Sequence, residues 1–78
     1  MDETQEGRIA HVKYVAGGCK VEIDDAVAQL VAGRASDRFT RDLYMRMSIS
    51  LCRKQQREIN FANVKEMIDM IQFGEEWL

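Results

Sequence analysis

The chain has no proline, and its 78 residues include only two cysteines, one histidine and one tryptophan. Cys19 and Cys52 are too few and too far apart for the disulfide framework of a small secreted domain, and they lack Cys-x-x-Cys spacing. With His11 as the single histidine, the chain offers no known ligand spacing for zinc. We therefore expect reduced thiols, no bound metal and no cofactor.

Long apolar runs are missing as well. No run approaches the roughly 18 residues that a membrane-spanning helix needs. The first residues, Met1-Asp2-Glu3, lack the basic and apolar regions of a secretory signal. These absences predict a cytoplasmic protein with no membrane partner.

The remaining composition, 46% hydrophobic and 31% charged, is typical of a globular domain. A chain of this length has room for one domain, and folding removes only about 60% of its surface from water. We expect a flexible tail over residues 1–7, a single domain over residues 8–74 and an acidic, aromatic tail over residues 75–78.

Charge is segregated along the sequence. Residues 34–57 contain seven basic and two acidic side chains, which gives +5, whereas residues 58–78 contain one basic and five acidic ones, which gives −4. Either segment is a candidate for binding a partner of opposite charge.

The segment around Gly17-Gly18 has the pattern of a β-hairpin. If the two glycines form the turn, apolar Tyr14 faces Val21, and Lys13 faces Glu22 with opposite charge. A phosphate-binding loop would need a following Lys-Ser/Thr or a third glycine that opens a helix. The pattern therefore predicts two strands, with Cys19 as a core residue.

The next segment predicts a short helix. Asp24 or Asp25 provides an N-cap, an apolar stripe recurs at Val27, Leu30 and Val31, and Gly33 lies where a helix normally ends.

Residues 43–52 alternate between apolar and other side chains, from Leu43 to Cys52, which predicts a strand. A turn over residues 53–57 would pair this strand with residues 58–61 in a second hairpin, although it offers no glycine. A helical hairpin over residues 36–58 is the alternative, because the segment is rich in good helix formers.

The last segment predicts a helix. Asn63 and Glu66 have the spacing of a capping box, and apolar residues recur at helical intervals, at Val64, Met67, Ile68 and Ile71. The elements together predict a small α+β domain, strand-strand-helix-strand-strand-helix, with two helices on one face of an antiparallel sheet. An N-terminal β-hairpin followed by helices is the alternative fold.

Cys19 falls on the opposite face of its hairpin from His11, whereas Cys52 shares the solvent side, so a contact between His11 and Cys52 on neighbouring strands stays open as a catalytic pair. The sequence offers no other catalytic constellation. We therefore expect a non-enzymatic regulatory or inhibitor protein that binds a larger protein, and we also consider a homodimer. The candidate partner-binding residues are a second apolar stripe on the last helix and two residues of the open sheet face: Met70, Phe73, Trp77, Tyr44 and Arg46. The alternative is a nucleic-acid-binding regulator that uses the basic segment, with Arg46, Arg53, Lys54 and Arg57 as its contacts.

Overall fold

The computed structural model describes residues 4–77, with side chains as far as Gly74, and its only regular structure is α-helix. The helices are α1 (Gln5–Gly18), α2 (Asp25–Arg34), α3 (Arg38–Lys54) and α4 (Phe61–Trp77). Since this part of the chain contains no strand, the expected α+β fold, its antiparallel sheet and its β-hairpins are wrong, as is the alternative of an N-terminal hairpin followed by helices. The helices also extend into both segments that the sequence assigned to tails.

The four helices enclose one hydrophobic core. α1 packs against α2 and α3, and α4 packs against α3 and α2. Every helix contributes buried aliphatic side chains to the core, including Val12, Val15, Val27, Val31, Met45, Ile49, Val64 and Ile68. Over the residues described, no helix is long and apolar enough to span a lipid bilayer.

The Gly17-Gly18 pair ends α1 and does not form a hairpin turn. The amide of Val21 donates to the carbonyl of Ala16 at 3.0 Å, and the amide of Lys20 donates to the carbonyl of Gly17 at 3.0 Å. This bond pair is the Schellman motif of a helix C-terminus, in which the left-handed position is Lys20, with φ of 62°. The expected Lys13–Glu22 pair is replaced by an ion pair between Lys13 and Asp25 at the start of α2.

The predicted strand over residues 43–52 is part of α3. The inward face of α3 recurs at helical intervals, at Arg41, Tyr44, Met45, Ser48, Ile49 and Cys52. Two of these buried residues, Arg41 and Ser48, are polar, so the buried stripe does not stand out as an apolar pattern. The alternative of a helical hairpin over residues 36–58 was correct in predicting helix here. Residues 38–54 form one helix, however, and not a hairpin of two.

The second predicted turn is also a helix C-terminus. Gln56 takes a left-handed φ of 58°. The amide of Arg57 donates to the carbonyl of Cys52 at 2.8 Å, and the amide of Gln56 donates to the carbonyl of Arg53 at 3.1 Å. A Schellman motif thus reverses the chain here as it does after α1.

The two predicted helices are confirmed. At the start of α2, the Asp24 carboxylate accepts a hydrogen bond from the Val27 amide at 2.9 Å. In α4 the predicted stripe is buried at Val64, Met67 and Ile68, and Ile71 is partly buried. The sequence pattern put the N-cap of α4 at Asn63, about one turn too late. The capping side chain is that of Asn60, which accepts a hydrogen bond from the Asn63 amide at 2.9 Å.

Replacing Gly17 with alanine distinguishes the helical end from a hairpin turn. Gly17 has no positive φ, and an added Cβ would meet no atom within 4 Å. Because alanine loses less conformational entropy than glycine in a helix, we expect Gly17→Ala to raise the free energy of unfolding by about 0.5–1 kcal/mol. Urea unfolding followed by circular dichroism measures this change, and a clear loss of stability would indicate the positive φ of a hairpin turn instead.

Candidate protein-binding face

The outward side of α3 carries three large apolar side chains one turn apart. Phe39, Leu43 and Met47 recur at i, i+4 and i+8, and Phe39 is 78% exposed. The opposite side of α3 is the buried one, on which Arg41, Tyr44 and Ser48 lie. The burial of those residues therefore turns the three apolar side chains toward solvent.

Asp37 fixes the start of this helix. Its carboxylate accepts hydrogen bonds from the backbone amide of Thr40 at 2.7 Å and from the Thr40 hydroxyl at 2.9 Å. These two bonds favour the ionised carboxylate and hold the pKa of Asp37 below its ordinary value of 3.8. The first residue of the outward apolar side, Phe39, lies within this capped turn.

The outward side of α4 is apolar as well. Met70 and Phe73 are 51% and 59% exposed, on the side of the helix away from buried Val64 and Ile68. Both side chains line a shallow surface pocket of about 490 Å³. Its lining residues are Ala62, Lys65, Glu66, Asp69, Met70 and Phe73.

The exposed residues of α3 and α4 lie at similar distances from the connection between the two helices. The two helices pack together and are joined by the short connection 55–60, which makes them antiparallel neighbours. Met47 lies seven residues before Lys54, about 10.5 Å along α3, and Met70 lies nine residues after Phe61, about 13.5 Å along α4.

Leu43 and Phe73 lie further from the connection. Leu43 lies eleven residues before Lys54, about 16.5 Å along α3, and Phe73 lies twelve residues after Phe61, about 18 Å along α4. We call the four exposed apolar residues of these two packed helices, Leu43, Met47, Met70 and Phe73, the apolar face. Phe39 lies one further turn along α3.

Charges of both signs surround the apolar face, and most have a partner within the chain. On α3, Arg46 donates to Asp42 at 2.6 Å, and this contact raises the pKa of Arg46. On α4, Asp69 accepts from Arg34 at 2.7 Å and from Lys65 at 3.0 Å. These two hydrogen bonds lower the pKa of Asp69, and the one from Arg34 has the larger effect.

The structure places the predicted partner-binding residues in different environments. Met70 and Phe73 belong to the apolar face, and Arg46 is exposed on α3. Tyr44 is only 4% exposed and packs in the core, so it is not on an open surface as the sheet prediction required. The Trp77 side chain lies outside the described side chains.

Sequence analysis missed Leu43, Met47 and Phe39 as surface residues. The signal for them is their spacing of four, which fits one side of a helix. It was hidden because the strand pattern places Leu43 and Met47 on its apolar, core-facing side.

The basic segment is largely engaged by internal contacts. Arg53 donates to the carbonyl of Cys19 at 2.6 Å, and Arg57 donates to Glu66 at 2.6 Å. Together with the Arg46–Asp42 pair, these contacts involve three of the four residues predicted to meet nucleic acid. Lys54, the fourth, is exposed at the end of α3.

The side chains with reactive chemistry lie apart. The His11 Nδ1 atom accepts a hydrogen bond from Arg41 Nε at 3.3 Å. Cys52 is fully buried, which raises its thiol pKa, and it lies eleven residues along α3 from Arg41, about 16 Å. Among the described residues, no group of three metal-binding side chains comes together.

Comparisons of the chain with protein-family models, with curated proteins and with solved structures found no match.

The cap of α3 predicts a loss of stability in acid. The pKa of Asp37 is lower in the folded chain than its ordinary value of 3.8. Its contribution to stability is therefore complete above that value and is lost as the pH falls through the folded pKa. We expect the thermal unfolding temperature to decrease as the pH is lowered from about 5 to about 2.5. Asp37→Asn keeps the capping acceptor but cannot ionise, so its unfolding temperature should depend less on pH over this range. Identical pH dependence of the two proteins in thermal melts would contradict this role.

Proposed function

We propose that the protein is a small, non-enzymatic regulator or inhibitor that acts by binding another protein through its apolar face. The observation that carries this proposal is the exposure of Leu43, Met47, Met70 and Phe73 on the outward sides of two helices that pack together. Large apolar side chains that lie together on a surface are typical of binding sites, whereas single exposed ones are common on any protein.

The chemistry of this face defines the kind of partner. Aromatic and methionine side chains are enriched in interfaces because they bury much area and adapt to the opposing surface. Glu66 and Asp69 border the pocket beside Met70 and Phe73, so an apolar surface with basic residues near its rim would fit α4.

A non-enzymatic role is supported by the positions of the reactive side chains. His11 is engaged with Arg41, and the Cys52 thiol is buried among core side chains with a raised pKa. Both cysteines are free thiols, which fits the cytoplasm as the proposed compartment.

Nucleic-acid binding through Arg46, Arg53, Lys54 and Arg57 is the weaker candidate. Binding to phosphates would compete with the internal contacts of Arg46, Arg53 and Arg57.

The test is a pull-down from source-cell lysate, treated with nuclease and washed at high salt, with the retained proteins identified by mass spectrometry. We expect the native chain to retain a protein in near-stoichiometric amount. Met70→Ala/Phe73→Ala should reduce retention at least about tenfold, because central apolar contacts account for most interface energy. Tyr14→Ala is the matched control, since Tyr14 is an 80% exposed aromatic residue on α1.

Equal retention by the native chain and by Met70→Ala/Phe73→Ala would contradict the proposed face. Recovery of nucleic acid before nuclease treatment, with no protein retained afterwards, would favour the basic segment instead. In that case affinity should fall steeply with salt.

A further inference from the structure

The buried guanidinium group of Arg41 is hydrogen-bonded to a side chain that titrates near neutral pH. Arg41 is 0% exposed, and its Nη1 atom donates to the backbone carbonyls of Ala35 and Ser36 at 3.5 and 3.2 Å. Those carbonyls accept a hydrogen bond at any pH. A further acceptor is Nδ1 of the partly buried His11 on α1, which lies 3.3 Å from Arg41 Nε.

The hydrogen bond between Arg41 and His11 requires a neutral imidazole. A guanidinium group has only donors and stays charged, so Nδ1 must provide the lone pair. The neutral ring then carries its proton on Nε2. When the ring is protonated, both nitrogens carry hydrogen, Nδ1 no longer accepts, and two cations face each other.

The side chains of α3 that lie near His11 are positively charged. Arg41 contacts the ring, and exposed Arg38 lines the same shallow surface pocket as His11, of about 510 Å³. The carboxylate at the start of α3, that of Asp37, is engaged with the amide and the hydroxyl of Thr40. Nearby cations favour the neutral form of an imidazole.

The charged groups of the other helix that packs against α1 are engaged elsewhere. On α2, Asp25 pairs with Lys13, and Arg34 pairs with an acidic residue of α4. On α1 itself, Arg8 lies one turn before His11 and adds a further cation on that side. The charges that α1, α2 and α3 place near His11, among the residues described, therefore oppose its protonation.

We propose that the contact between His11 and Arg41 is an acid-sensitive lock between α1 and α3. The lock is closed while His11 is neutral, and protonation of the ring opens it. Because Arg41 also holds the turn after α2, opening the lock weakens the attachment of α1 to the rest of the core. The inference does not depend on the proposed function, since it concerns the inner side of α3.

The direction of the pH dependence follows from this contact. Protonation of His11 is less favourable in the folded chain than in the unfolded chain, where the pKa of a histidine is about 6.5. The contribution of the lock to stability is therefore complete above about pH 6.5 and is lost as the pH falls below it.

Thermal unfolding of the full chain at about pH 7.5 and about pH 5 tests the lock. His11 is the single histidine of the chain, and histidine is the side chain whose unperturbed pKa lies in this range. We expect the unfolding temperature to be about 5–10 °C lower at the acidic pH. This is the shift that a roughly tenfold change in the unfolding equilibrium constant causes in a domain of this size.

His11→Asn is the matched variant. Its Oδ1 atom is bonded to Cγ, as Nδ1 of histidine is, so it provides an acceptor for Arg41 at both pH values and does not titrate. Its unfolding temperature should be the same at the two pH values. An equal decrease in the native chain and in His11→Asn, or no decrease in the native chain, would overturn the lock.

NMR spectroscopy of the native chain measures the contact itself. At about pH 7.5 we expect a neutral His11 ring with its proton on Nε2, together with a hydrogen-bonded Nε–H signal of Arg41. The ring should titrate with a midpoint below about pH 6.5, and the Arg41 signal should change with the same midpoint. A midpoint at or above this value, or an Arg41 signal that does not change through the titration, would also overturn the proposal.

Discussion

The complete burial of the Arg41 side chain fixes how the helices are arranged. A guanidinium group removed from water must be hydrogen-bonded, because an uncompensated buried charge costs several kcal/mol. Arg41 Nη1 donates to the carbonyls of Ala35 and Ser36 at 3.5 and 3.2 Å, and its Nε donates to His11. One side chain of α3 thereby contacts both the turn after α2 and the middle of α1.

This contact also sets the rotation of α3 about its own axis. With Arg41 directed inward, the residues three, four and seven positions later, Tyr44, Met45 and Ser48, must also face the core. Leu43 and Met47 then lie on the outer side of α3, as Met70 and Phe73 lie on the outer side of the neighbouring α4. The apolar face is thus a consequence of an internal polar contact in α3.

Sequence patterns predicted α2 and α4 because their buried stripes are apolar and regularly spaced, and because Asp24 is a strong N-cap. They failed for α1 and α3 for two physical reasons. The Schellman motifs at Lys20 and Gln56 lack the glycine that normally identifies them, so both chain reversals resembled hairpin turns. The inward side of α3 contains Arg41 and Ser48, which broke the helical pattern and left an alternation typical of a strand. The same error hid Leu43 and Met47, whereas Met70 and Phe73 on the correctly predicted α4 were identified.

The most direct test of the account is the backbone conformation of residues 38–54, measured by NMR as Cα secondary chemical shifts in the full chain. A single helix predicts positive Cα deviations throughout Arg38–Lys54, with a break at Gln56, where φ becomes left-handed. Negative deviations over residues 43–52 would show an extended strand. They would contradict the inward position of Arg41 and, with it, the apolar face.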